Sequence, residues 1–394
     1  MVLAVPGQAA AQQSSRPAAV NVPEAGLGSV LPARKPGGEA PALLAAAACP
    51  PSGSGRAACL TPVPAGSLPR GLVREAPAAR AGVAPPQWCE QSSGDRVGVR
   101  TAVCRISGLT YSTYVTSGGT RRKTGEADLI VLQYSYGDSG MGRIGNQIEV
   151  SAYGGWGDAL KASVKGSSEK GGSCKVNGST FPSKKLLPLN SWRLGESFFD
   201  TTIRNPGSQG KCMTKWNLTL TNPTYSSAAA PYSFNDFRCD NNTAGRPGVG
   251  CVVPWYASVL WYSKSRYPQL ASHVTRAQAS GLPGATFAKP LTRTTSATTV
   301  RDNRRLACGD APSVRQKSCD EYPIAQSQQG LSSGGARRSF TGCNFNRVPA
   351  GTGPRGASAC MIKATENNAQ GGLNTQFFRS QRVLNGDPFQ IRIN

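Results

Sequence analysis

Cys319-Asp320-Glu321-Tyr322-Pro323 and, further along, Glu366-Asn367-Asn368-Ala369-Gln370-Gly371-Gly372 decide how the C-terminal part of this 394-residue chain is read. Residues 261 to 394 hold 18 Lys and Arg against 6 Asp and Glu, and three of those six acids are Asp320, Glu321 and Glu366. Acids this scarce, gathered with amides in a basic background, are informative as a group. An acid and an amide at the edge of a helix hold a hard divalent cation through oxygen while the cation keeps waters for reaction. Cleavage of a phosphodiester needs that combination: an activated water, positive charge on the phosphate oxygens and a neutralised leaving oxygen.

Each stretch also has a purely structural reading. Asp320 suits a capped polar turn with Pro323 setting the bend, and Glu366 to Asn368 suits a helix N-terminus, where Asn caps and acids complement the macrodipole. The second reading is compatible with function, because a helix start also aims free N–H groups at a phosphate. The flanking pattern predicts apolar strands over Val252 to Tyr262 and Pro388 to Ile393. It predicts a helix opening at Pro268, carrying Leu270, Val274 and Ala277, and ending at Gly281 and Pro283. A second helix is expected from near Gln370, with Leu373, Phe377 and Leu384 on one face, to Asn385 and Gly386.

Upstream, residues 1–86 are Ala-, Pro- and Gly-rich without apolar periodicity and read as a disordered leader that buries too little to offset its entropy. A short helix at Leu43 to Ala48, stopped by Pro50 and Pro51, is the exception. Ala9 to Ala11 resemble the small-residue end of an export signal, although no charged, apolar stretch precedes them. Residues 87–242 alternate with period two at Ile148, Val150 and Ala152, at Leu160, Ala162 and Val164, and at Trp216, Leu218 and Leu220. Gly-rich connections separate these runs, which predicts an antiparallel, sandwich-like accessory domain. Its aromatics Tyr134, Tyr136, Tyr153 and Trp156 suit either core packing or a ligand surface.

Residues 248–394 form the third unit. The formal net charge of +23 points to a polyanionic partner, and no apolar run is long enough, at roughly 18 residues, to span a bilayer. The twelve cysteines include no Cys-x-x-Cys pair, and the chain has one His, which disfavours a zinc ribbon or finger. Disulfides in an oxidising compartment are expected instead; spacing does not fix their connectivity, but neighbours such as Cys89 with Cys104, Cys308 with Cys319 and Cys343 with Cys360 are candidate local loops.

The C-terminal blocks resemble the secreted deoxyribonucleases of the NucA and NucB type. The resemblance rests, in order, on Ser265-Arg266-Tyr267-Pro268 with His273 and Val274, on Cys319 to Ala325, and on Glu366 to Gly372 followed by Gly386-Asp387; it covers the C-terminal domain and nothing upstream. It implies an α+β chain whose C-terminal domain is ββα-metal-like. The implied activity is endonucleolytic cleavage of DNA with little sequence preference and a single divalent ion, Mg2+ or Mn2+. Asp320 would be the general base and Asn367, or its neighbour Asn368, the metal ligand. Glu321 would be a metal-shell or orienting group, and Gln370 would hold a metal-bound water or a phosphate oxygen.

Arg347, Arg337 and Arg338 are the basic candidates for the phosphate. His273 has a pKa suited to proton transfer but lies on the buried stripe of its helix, which favours a supporting role. The resulting expectation is a secreted, monomeric nuclease with no membrane insertion. The alternatives are a nuclease toxin paired with an inhibitor protein and a non-enzymatic cationic protein binding cell wall or polysaccharide.

Overall fold

The computed structural model describes residues 32–35, 55–63, 67–69, 83–92 and 94–394. The first half is built from strands. They are β1 (Ala33–Arg34), β2 (Arg56–Val63), β3 (Val97–Val99), β4 (Ala102–Ser117), β5 (Thr120–Gly137), β6 (Arg143–Gly157) and β7 (Ser163–Glu169). The series continues with β8 (Cys174–Thr180), β9 (Lys184–Lys185), β10 (Arg193–Thr201), β11 (Gln209–Asn222), β12 (Tyr225–Asp240) and β13 (Gly250–Val252).

One sheet runs β1-β3-β4-β5-β6-β10-β8 with β2 also on β4, and a second runs β13-β12-β11-β7-β9. Period-two alternation sends Trp216, Leu218 and Leu220 of β11 inward, where they share a core with Leu129, Val131, Ile148 and Val150 of the other sheet. Complete burial of such side chains is worth about 1.5–3 kcal/mol each, as an upper estimate. The expected sandwich is therefore present. Tyr134 and Tyr136 are buried on the other face of β5, in a separate cluster with Ile106, Leu132 and the Cys89–Cys104 disulfide, against which the half-buried Tyr153 packs, and Trp156 is 50 % exposed.

Two boundaries differ from the sequence reading. Residues 56–63, assigned by composition to the leader, form β2, which pairs with β4 along its whole length and buries Ala58 and Leu60 in the core. β1 likewise pairs with β3. Long-range strand pairing supplies the burial that local composition did not predict. The helix expected at Leu43 to Ala48 and the signal-like Ala9 to Ala11 lie outside the described residues.

The stretch Val252 to Tyr262 is not one strand. Gly250–Val252 pairs with β12 and is tied to it by Cys239–Cys251, so the seam between the two halves lies after residue 252 instead of at 248.

Beyond the seam come β14 (Ser258–Tyr262), α1 (Pro268–Ala279), β15 (Leu291–Thr292), α2 (Ala297–Cys308), β16 (Lys317–Tyr322), β17 (Arg337–Arg338), β18 (Ala357–Lys363), α3 (Ala364–Ser380) and β19 (Pro388–Ile393). β19 lies between β14, parallel to it, and β15, antiparallel; β18 lies between β16, antiparallel, and β17, parallel. α1 and α3 close over these sheets through Leu270, Val274, Phe377 and Phe378 against Tyr322, Ile362, Phe389 and Ile391.

α1 opens with Pro268 in its first turn, as expected, and α3 begins at Ala364, six residues before Gln370. α2 was not anticipated: its sequence is polar, and only Asn303 and Ala307 are buried. Asn303 is nevertheless structural, donating to the carbonyls of Ala325 (2.9 Å) and Ser327 (3.0 Å) and so pinning the chain that leaves β16.

The three local disulfides form as expected, with Cys174–Cys212 and Cys239–Cys251 in addition, and no described cysteine is free. No described helix is long and apolar enough to cross a membrane. The two halves are joined by buried charge. Arg100 and Arg238 both pair with Asp387 (2.8 and 2.6 Å), and Arg382 pairs with Asp240 (2.9 Å).

Candidate active site

β16 and β18 are an antiparallel pair in register Ser318↔Ile362, Asp320↔Cys360 and Tyr322↔Ser358, and α3 follows β18 without a loop. Alternation along β16 puts Ser318, Asp320 and Tyr322 on one face and Cys319 and Glu321 on the other. The first face is covered by α1 and α3. The second packs towards α2 and the apolar cluster of Phe345, Ala359 and Met361.

On the covered face, Asp320 is 1 % exposed and accepts from His273, with Oδ2 2.6 Å from Nδ1. Because a carboxylate only accepts, Nδ1 carries an imidazole proton, and Nε2 lies 2.9 Å from Ser358 Oγ, whose hydroxyl also faces the Tyr322 carbonyl at 3.4 Å. The serine, histidine and aspartate thus form a hydrogen-bonded chain. Ser358 and His273 are both 0 % exposed, so the chain does not present a nucleophilic hydroxyl to a substrate. His273 is placed to orient Asp320.

The N-termini of α1 and α3 brace each other beside this chain. Glu366 Oε2 accepts the N–H groups of Gln269 (2.8 Å) and Leu270 (3.0 Å), two donors that the first turn of α1 cannot satisfy internally. Gln269 Oε1 in turn accepts the N–H of Lys363, the residue preceding α3. Early initiation of α3 puts Glu366 and Asn367 inside its first turn instead of ahead of it.

Asn367 donates Nδ2 to Ser318 Oγ (2.9 Å) and to the carbonyl of Cys319 (2.8 Å). The carbonyl can only accept, which fixes the orientation of the amide and leaves Oδ1 turned away from the strand. Asn368 is exposed, so Asn367 is the one of the two that meets β16. Gln370 is buried and its Nε2 has no hydrogen-bond partner in the structure. Tyr262, which donates to Asn374 Oδ1 at 2.6 Å, links the group: its hydroxyl pKa is driven well above the ordinary value, first by burial and then by the charge of Asp320.

The structure does not gather every residue singled out from the sequence. Glu321 lies on the opposite face, with Arg304 4.0 Å away. Its carboxyl is raised to about 7, chiefly by burial and secondarily by Asp320, with Arg304 opposing. Arg337 pairs with Asp310, and the 2 % exposed Arg338 donates to the carbonyls of Ser280, Gly353 and Arg355, so both are committed to holding loops. Arg347 is exposed, in the loop whose Phe345 and Val348 pack on the α2 side.

Conversely, Glu366, Ser318 and Ser358 join the site although none was assigned a role from sequence. Glu366 had a signal, as one of six acids. The two serines had none, because their part depends on β16–β18 register.

The donors available are a half-buried amide oxygen, a carboxylate and an unpartnered amide N–H. This is a set for hard, oxygen-ligated chemistry. The close sulfurs of Cys174, Cys212 and Cys239 are bound in disulfides and offer no thiolate.

No curated protein matches the chain. The family model Deoxyribonuclease NucA/NucB matches residues 283–392, which include Asp320, Glu321, Glu366, Asn367 and Gln370 and begin after α1 and His273, and the C-terminal region thus carries a nuclease domain of that family.

Proposed function

We infer that the chain is a metal-dependent endonuclease that hydrolyses DNA, with Asp320 as general base and Asn367 as the protein ligand of one divalent ion, Mg2+ or Mn2+. One observation carries this reading: within the family match, Asp320 and Asn367 meet on one face of β16, the first oriented by His273 and the second with its oxygen turned outward. The strand–strand–helix order of β16, β18 and α3 supports the ββα-metal likeness. When bound, the ion supplies positive charge to the phosphate and leaving oxygens.

The chain's own groups do the rest. Asn367 Oδ1 would hold the ion, and the buried Nε2 of Gln370, which lacks a hydrogen-bond partner, would donate to an ordered water or, on local opening, a phosphate oxygen. Asp320 receives the proton of the attacking water, while the Nδ1–H of His273 keeps its carboxylate in place. Asp320 is 1 % exposed and sits behind the braced N-termini of α1 and α3. Exposed Lys363 and Arg266 lie at those ends of the helices and are better placed for the phosphate than Arg337 or Arg338. Disulfide bonding of every described cysteine supports action outside the reducing cytosol.

The test is plasmid degradation by the purified full chain with added Mg2+ or Mn2+. Chelation is expected to stop it, and Asp320→Asn to lower turnover by about 10²–10⁴-fold while DNA binding is retained. An unmodified protein that cuts nothing with either metal would refute the enzyme reading. Full activity in Asp320→Asn would refute the assignment of the base.

A further inference from the structure

The outer face of α3 and the module residues Gly245 and Arg246 border an open cleft of about 770 Å³ that the proposed chemistry does not use. Its floor is Gly371, Gly372, Thr375 and Gln376, and its far end is formed by Arg379 of α3 and Arg246 of the module. We propose that this interdomain cleft holds the phosphate backbone of the DNA substrate downstream of the cleavage site, so that the β module is part of the substrate path. The proposal rests on the nuclease reading and adds a binding surface to it.

Three observations carry it. First, Gly371 and Gly372 are adjacent on the exposed face of α3, in the helix interior, where glycine is a poor helix former. Nothing lies within 4 Å of the position a Cβ would take at either, so no packing in the fold calls for them. A helix surface stripped of side chains is what close approach by a ligand backbone requires.

Second, Arg246 and Arg379 have no carboxylate within ion-pair distance among the described residues, although Arg100, Arg238 and Arg382 at the same seam are all paired. The carboxylate of Asp138, near the cleft rim, accepts the Gly140 N–H. Backbone carbonyls hold the two guanidinium groups in place: Arg379 Nε donates to Ala244 (3.2 Å), and Arg246 Nη1 donates to the carbonyls of Arg379 (3.2 Å) and Ser380. These bonds immobilise the side chains without pairing either to a carboxylate; Asp138 stands near Arg246 beyond ion-pair distance, and Arg379 faces the cleft with no described acid paired to it, an arrangement suited to an anion.

Third, the cleft lies on the same helix as the candidate metal ligand but on a neighbouring face: Asn367 is turned to β16, and Gly371, Thr375 and Arg379 turn progressively away from it. Asn367, Gly371, Thr375 and Arg379 follow one another at four-residue spacing along α3, a rise of about 18 Å. That length is on the order of five nucleotide steps at about 3.4 Å each. The competing account is that both arginines only satisfy carbonyls at the seam. It leaves the paired glycines unexplained.

The experiment compares the full chain with Gly372→Glu and with Arg246→Gln/Arg379→Gln, following cleavage of plasmid DNA and of the small diester bis(p-nitrophenyl) phosphate with Mg2+ or Mn2+. Expected is a KM for plasmid at least tenfold higher with little change in kcat, a salt dependence shallower by about two in the double variant, and small-diester turnover within twofold of the parent. An unchanged KM for plasmid with intact small-diester turnover would overturn the proposal. Parallel loss of both activities would do so as well, by assigning the arginines to the seam alone. If the parent cleaves neither substrate, the nuclease reading itself fails, a result distinguishable from the other two.

Discussion

Asp320 and Glu321 are consecutive residues that face opposite sides of β16, and their environments divide accordingly. Asp320 has the imidazole of His273 against it, whereas Glu321 looks towards α2, where Arg304 at 4.0 Å and backbone N–H groups offset its burial only in part. The Glu321 carboxyl is raised to about 7 from 4.5, so between those values the folded chain binds a proton that the unfolded chain releases. Its contribution to stability is therefore complete below about pH 4.5, declines as pH rises to 7 and is level above. Glu321→Gln should gain on the parent by on the order of 1–3 kcal/mol across that interval. Denaturant midpoints of the two proteins at several pH values between 4.5 and 8 check this, and parallel curves would contradict it. Both acids stand out in the sequence. Their separation onto two faces follows from strand alternation, which becomes visible only once the block is known to be a strand and not a turn.

At the scale of elements, α3 carries most of the site and has the least conventional composition. Its register was misjudged because Gly371 and Gly372 mark a helix poorly and Glu366-Asn367-Asn368 reads as a cap. Contacts from α1, through Gln269 to Lys363 and Glu366 to Gln269 and Leu270, extend the helix back to β18. With open space around both glycines, Gly371→Ala and Gly372→Ala should each stabilise the fold by about 0.5–1 kcal/mol. Thermal melts measure this directly, and a loss of stability in either would show that the helix needs its glycines for folding. α2 stayed hidden for the opposite reason: its polar sequence lacks an apolar stripe, and it is held by the buried amide of Asn303. α1, β19 and the sandwich strands were legible because their period matches the face they bury.

For the whole molecule, the decisive feature is the seam. Arg100 and Arg238 converge on Asp387, and Arg382, 1 % exposed, reaches from the C-terminal domain to Asp240. Removing one member of such a buried set leaves charge unpaired, so Asp387→Ala should cost about 3–5 kcal/mol. The parent should unfold in a single transition that includes both halves. Calorimetry of parent and variant tests this, and two independent transitions in the parent would show that the halves do not depend on each other.

The sequence by itself determined the period-two strands, the basic background and the scarce acids and amides of the C-terminal blocks, and it offered three of the local disulfide pairs without fixing connectivity, because these depend on composition, short spacing or local alternation. Tertiary structure alone decided which of those groups meet. Strand register brought Ser358 and His273 to Asp320 and turned Glu321 away, and long-range pairing drew residues 56–63 into the sheet. Docking at the buried arginine seam set the module loop beside α3. Contacts between residues far apart in the chain leave no periodic trace in it, so the geometry of the site had to be read from the fold.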